Sequence, residues 1–276
     1  MTLISLVLFV LFGIPTLIHH GYPHLIPIFP KNNHHAIGNF FYATALMFVA
    51  YTGYARIATL AEEVKNPKYF IPRAIIITLI VSAVLYVAVS IIAISAVGSD
   101  HLAQVTQSRA TPLEIAAQAL KIPGLSIMIA IGACTAMLGV LLNLILGLSR
   151  VALAMGRKGD LPNLFSHVSL QKRIPVAAIV GVGIVIILLT FTGSVVVTWS
   201  FSAFTVLIYY AITNLAALRM PKADRLYSPV FPIIGLMACL FLAFWVPLII
   251  WGTGLILILL GIIWQCFIAC RFKTMK

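Results

Sequence analysis

The sequence predicts an all-α multipass membrane protein with about eight transmembrane helices, and three observations predict it. Of the 276 residues, 62% are hydrophobic and 9% are charged, against about half and about a quarter in a soluble domain. The apolar residues gather into runs of the length that crosses a hydrocarbon core, about 20 residues each. The charges and many of the prolines fall between those runs, where the chain returns to water. Because backbone groups in lipid must be paired within their own segment, each run is read as a helix.

In chain order the runs cover roughly residues 1–18, 40–60, 73–97, 124–149, 175–192, 195–217, 230–246 and 248–269. The first has neither a basic leader nor a small-residue cleavage site before His19, so it is read as a span and not as a signal peptide. Between the third and fourth, Thr111 to Leu120 places a Pro after a capping residue and carries a helical apolar period, which predicts a short surface helix along the outer interface. The chain holds 18 Lys and Arg against 6 Asp and Glu, a net charge of +12. Those cations lie between apolar runs and do not line one face, so a bilayer explains them and nucleic acid does not.

Their distribution sets an orientation. One alternating set of loops holds Arg56, Lys65, Lys68 and Arg73; then Arg150, Arg157, Lys158, Lys172 and Arg173; then Arg219, Lys222 and Arg225; then Arg271, Lys273 and Lys276. The opposite set holds Lys31, Arg109 and Lys121. Lys and Arg are retained on the cytoplasmic side, so both termini are expected in the cytoplasm of a cell-membrane protein. His19, His20, His24, His34 and His35 then fall in an outer loop that is rich in Pro and lacks Cys or carboxylate partners at metal-site spacing, and no metal site is read there. Cys134, Cys239, Cys266 and Cys270 lie in or at the end of apolar runs and receive no chemical role. No Ser, His and Asp set, no H-E-x-x-H run and no acid deep in a span appears, which argues against an intramembrane enzyme. No cofactor is implied.

The most informative segment is Phe48-Val49-Ala50-Tyr51-Thr52-Gly53-Tyr54. It puts Gly, Thr and two Tyr at mid-span, where a lipid-facing helix would use Leu and Val. Glycine weakens a helix locally, and irregular backbone at membrane depth is tolerated where it is buried in protein or lines a wet cavity. Two readings follow: a broken second span at a substrate site, or a glycine that permits close helix packing. Further along come Glu62-Glu63, the turn Asn66-Pro67, and Ile71-Pro72-Arg73-Ala74-Ile75. Pro72 suits the first turn of the next helix. Glu62 and Glu63 sit among Arg56, Lys65, Lys68 and Arg73 and point to different helix faces, so they are read as loop-pairing residues and not as an acid–base pair.

The run from Phe48 to Ile75 resembles the sixth transmembrane helix and following cytoplasmic loop of amino-acid permeases of the amino acid, polyamine and organocation (APC) superfamily. Their pattern is approximately F-x-A-Y-x-G-F, E-E-x-x-N-P and I-P-x-A-I. A second stretch, Ser149-Arg150 followed by Met155-Gly156-Arg157-Lys158-Gly159-Asp160-Leu161-Pro162, is similar to the family's S-R and A-x-R-D-G-x-L-P. Here Lys158 replaces the usual Asp and removes any salt bridge that Asp would make. Weaker similarity runs from Trp199 to Arg219 and on to the C-terminus.

The resemblance implies a partial APC-type inverted-repeat fold. Residues 1–39 would hold the fifth helix and an external loop, 40–217 the second five-helix repeat (helices six to ten), and 218–276 helices eleven and twelve. Helices one to four are expected to be missing from an N-terminally truncated chain, or to come from a partner chain. The implied function is secondary active transport of amino acids by alternating access. Carbonyls around Phe48, Val49, Ala50 and Tyr51 would hold the substrate amino group; Thr52 and Tyr54 would line the cavity, Gly53 would allow the break, and Phe48 and Tyr51 would gate or stack. A coupling proton and a coupling sodium ion both stay open, since the lysine that relatives often carry in helix five has no counterpart between Met1 and Pro30. The rival readings are a non-transporting membrane subunit or half of a split transporter, and a membrane enzyme with no motif behind it.

Overall fold

The computed structural model describes residues 1–20, 36–53, 64–108, 111–169, 174–191, 195–222 and 225–273. Every regular element among them is helical: α1 (Thr2–His20), α2 (Ala36–Ala50), α3 (Pro67–Val97), α4 (Ser99–Ser108), α5 (Pro112–Ala119), α6 (Leu125–Lys158), a 3-10 turn (Asn163–Ser166), α7 (Val176–Thr190), α8 (Val195–Leu218), α9 (Val230–Phe244) and α10 (Leu248–Lys273). Among the described residues, four helices are long and apolar enough to cross a membrane: α3, α6, α8 and α10 as far as Cys266. Helices α1, α2, α7 and α9 are apolar but shorter. At about 1.5 Å per residue, the 31 residues of α3 reach about 46 Å, well beyond a hydrocarbon core of about 30 Å.

Several boundaries differ from the sequence reading, each for a local reason. The fourth run was bounded at residue 149 by Arg150, yet α6 continues to Lys158; charge ends a membrane run, but it does not end a helix. The stop comes from Gly159 at φ +82°. There the amide of Asp160 donates to Met155 O (2.9 Å) and that of Gly159 to Gly156 O (3.2 Å), the paired bonds of a glycine-terminated Schellman cap. At the start of α3, Pro67 and not Pro72 occupies the first turn, after Asn66 in a left-handed conformation at φ 52°. Pro72 lies inside the helix, where its missing N–H removes one bond of the ladder. The short helix expected at 111–120 is α5, and α4 is a further helix in the same connection. Glu62 and Glu63 lie outside the described residues.

The chain divides into two compact units. The first holds α1 to α5, α6 through Gly132, α8, α9 and α10 through Trp251. One of its cores joins α2, α8 and α9 through Ala45, Phe204, Leu207, Ala211, Cys239 and Ala243. Another joins α1, α3, α5 and the start of α6 through Phe9, Ile92, Ala116, Ala117 and Ile129. Helices α1 and α3 approach so closely that a Cβ on Gly13 would overlap Ile92 Cγ2. The second unit holds the rest of α6, the 3-10 turn, α7 and the rest of α10. There the Phe165 ring seats against Gly181, its backbone against Gly156, and Trp264 Nε1 donates to Asp160 O (2.9 Å).

Candidate functional site: the end of α2 and the polar stripe of α3

Helix α2 is held in place along its length before it stops. Phe41 packs edge-on to Phe241 (4.9 Å between centroids) and stacks on Trp245 (5.2 Å). The hydroxyls of Tyr42 and Ser200 share a 2.7 Å hydrogen bond, Trp199 Nε1 donates to Leu46 O (3.0 Å), and the Phe48 ring meets Tyr210 edge-on at 5.6 Å. Ring contacts and uncharged hydrogen bonds of this kind replace the ion pairs that a water-exposed helix would use, since unpaired polar groups are costly in hydrocarbon.

The stop itself is a change of hydrogen-bond register. An α-helix continuing through Thr52 would put its amide on Phe48 O. Instead, Tyr51 N donates to Phe48 O and Thr52 N to Val49 O, both at 3.1 Å, which tightens the last turn toward 3-10 geometry. The Thr52 hydroxyl also donates to Val49 O (2.7 Å), so that carbonyl has both lone pairs engaged. Gly53 follows at φ +113°, a backbone conformation that L side chains rarely adopt. From α3, the Tyr86 hydroxyl donates to Ala50 O (3.2 Å) while its ring meets Tyr51 edge-on at 5.4 Å. Among the described residues, no donor reaches the carbonyls of Tyr51, Thr52 or Gly53.

Two hollows open beside this stop. One, of about 240 Å3, lies between Ala50, Tyr51, Thr52 and Gly53 on one side and Ile75, Thr78, Leu79, Ser82 and Tyr86 of α3 on the other. The second, of about 450 Å3, is bounded by Phe48, Tyr51 and Thr52 with Leu79, Ile80 and Ala83. Among the described residues, no charged side chain lines either. The last turn of a helix carries a partial negative charge of about half an electron on its unpaired carbonyls. An apolar-walled hollow with hydroxyls and carbonyls at such an end suits an ammonium group attached to an uncharged body.

Of the residues singled out from sequence, the structure brings Phe48, Ala50, Tyr51, Thr52 and Gly53 to these hollows. Val49 lines neither, and its carbonyl is engaged by Thr52. Tyr54 lies outside the described residues. Sequence reasoning missed Thr78, Ser82 and Tyr86, although a signal was there. They recur every fourth residue in an otherwise apolar run, which puts three hydroxyls on one helical face.

Long apolar helices, four of them able to cross a membrane by length and composition, define an integral membrane protein. The chain belongs to the amino acid permease family, which it matches over residues 1–271. It is 40% identical over 206 residues to an uncharacterized transporter of Mycobacterium tuberculosis strain H37Rv, covering 75% of this chain and 46% of that protein. It is 30% identical over 239 residues to the branched-chain amino acid permease BcaP of Bacillus subtilis, covering 82% of this chain and 50% of the relative. Cationic amino acid transporter 3, mitochondrial, of Arabidopsis thaliana is 32% identical over 148 residues, 54% of this chain and 24% of its own length. The chain thus spans half or less of the length of these relatives.

Proposed function

We propose that these residues form the second-repeat portion of a secondary active amino-acid permease, a transporter and not an enzyme. In this reading eight helices cross the cell membrane, both termini are cytoplasmic, and residues 1–39, 40–217 and 218–276 are the fifth helix with its loop, the second repeat and the C-terminal helix pair. The observation that carries it is the stop of α2 at Ala50 beside the Thr78, Ser82 and Tyr86 stripe. An amino-acid substrate places its ammonium at the carbonyls of Tyr51 and Thr52 and its side chain in the hollow beside Phe48. A coupled ion, proton or sodium, drives the cycle.

Alternating access moves one repeat against the other around a site that both build. Helices one to four therefore come from outside these residues, in a longer chain or a partner chain. The test is uptake of labelled amino acids into proteoliposomes, with and without a co-expressed fragment carrying four spans and a glycine-rich first helix. Uptake only with that fragment supports the reading. Saturable uptake by residues 1–276 alone refutes the need for a second repeat, and uptake by the assembled protein that is indifferent to Thr52→Val and Ser82→Ala refutes the site.

A further inference from the structure

A larger hollow, of about 760 Å3, opens where the first turns of α3, the last turns of α8 and the start of α9 meet. It shares only Ile75 with the hollows beside α2. Its walls are apolar, with Pro72 and Ile76 from α3, Ala217 from α8 and Phe231 from α9. From Pro72 to Ile76 the helix advances about 6 Å, and from Ala217 back to Asn214 about 4.5 Å, so the groove runs inward from the helix ends. Asn214 is the polar group on its α8 wall, and one N–H of its amide donates to Tyr210 O (2.9 Å).

The rim is cationic. Arg225 reaches back over the end of α8, donating from Nε to Met220 O (2.9 Å) and from Nη2 to Leu218 O (2.8 Å). These bonds fix the guanidinium plane, and among the described residues no carboxylate pairs with it; Asp224 lies outside them. Arg73 stacks on the Tyr69 ring at 3.5 Å, at the same end of α3, Lys68 stands in the first turn of α3, and Lys222 lies in the connection between α8 and α9. Tyr227 lines the groove at the level of Arg225, the amphipathic residue type that marks a membrane–water interface. An apolar slot that runs inward under a fixed guanidinium matches one molecule the membrane supplies. A lipid chain fills the slot, and a phosphate meets the remaining N–H donors of Arg225 in the fork geometry that arginine favours.

We infer that the groove between α3, α8 and α9 is a binding site for an anionic phospholipid, with an acyl chain against Ile76 and Ala217 and the headgroup phosphate on Arg225. The test uses the 276-residue chain purified in mild detergent with equal phosphatidylglycerol and phosphatidylcholine, and native mass spectrometry of the lipid it retains. A basic residue near the surface is worth about 1 kcal/mol toward an anionic lipid, so phosphatidylglycerol is retained about fivefold over phosphatidylcholine. Arg225→Gln removes that preference and Arg225→Lys restores part of it, which separates headgroup charge from the capping of α8. Ala217→Trp fills the slot and lowers retention of both lipids without touching the arginine. Equal retention of the two lipids by the unsubstituted chain overturns the inference. So does a preference that survives both Arg225→Gln and Ala217→Trp, or a chain dimer in place of lipid that Ala217→Trp abolishes.

Discussion

Replacing Gly53 by Ala isolates the backbone requirement of the site. Among the described residues, a Cβ on Gly53 would meet no atom within 4 Å, so the effect comes from φ +113°. Holding a side-chain-bearing residue in that region costs about 1–3 kcal/mol. Gly139, inside α6, supplies the matched control, because its Cβ also meets nothing within 4 Å and its backbone is helical. Ala there gains about 0.5–1 kcal/mol of helix propensity. The two substitutions, chemically identical, therefore move stability in opposite directions and end about 1.5–4 kcal/mol apart. Reversible unfolding in mixed SDS micelles, followed by circular dichroism, measures the difference. Thiol labelling gives a second readout, since Cys239 is buried while Cys134 and Cys266 are exposed. If Gly53→Ala is neutral, or shifts unfolding in the same direction as Gly139→Ala, the strained stop at the end of α2 is not what glycine serves there.

Tyr86→Phe keeps the ring on Tyr51 but strips the donor from Ala50 O, a loss of about 0.5–1.5 kcal/mol. Amino-acid binding to the assembled transporter, read by scintillation proximity, weakens about two- to twelvefold, and unchanged affinity would remove Tyr86 from the site. Gly156→Ala forces a Cβ to within 2.8 Å of the Phe165 and Ser166 backbone. It costs about 1–3 kcal/mol of overpacking, and Phe165→Ala does not rescue it because the clash is not with the ring; rescue in SDS unfolding would contradict that geometry. Cysteines introduced near Lys172 and Lys222 are labelled from the cytoplasmic side, and those near His34 and Arg109 from outside; labelling at Lys172 in intact cells with an impermeant reagent would invert the orientation.

The helical character of the chain was legible because hydropathy over about 20 residues averages out local error. The stop of α2 was legible for a different reason, the incongruity of Gly, Thr and Tyr at mid-span. Limits set by single dihedrals were not. Arg150 looked like the end of α6, while the end is written nine residues later in Gly159, whose positive φ closes the Schellman cap. Helix α4 escaped notice because its polar residues, such as Asp100 and Gln104, follow Gly98 and look like loop. The stripe of Thr78, Ser82 and Tyr86 was hidden by its apolar neighbours, which dominate a sliding window even when one face is different. Only the packing of α3 on the end of α2 makes those three residues meaningful.

Among the described residues, the bonds that shape the stop come from within four residues of it or from Tyr86: two tightened amides, the Thr52 hydroxyl and the Tyr86 hydroxyl. None of them needs a bound solute. Selection can therefore act on the wall and the socket separately. Substitutions at Ile80, Ala83 or Phe48 reshape the adjoining hollow while the bonds that interrupt the helix stay in place. Across related chains, the stop would be the slow-changing character and the surrounding apolar positions the fast ones.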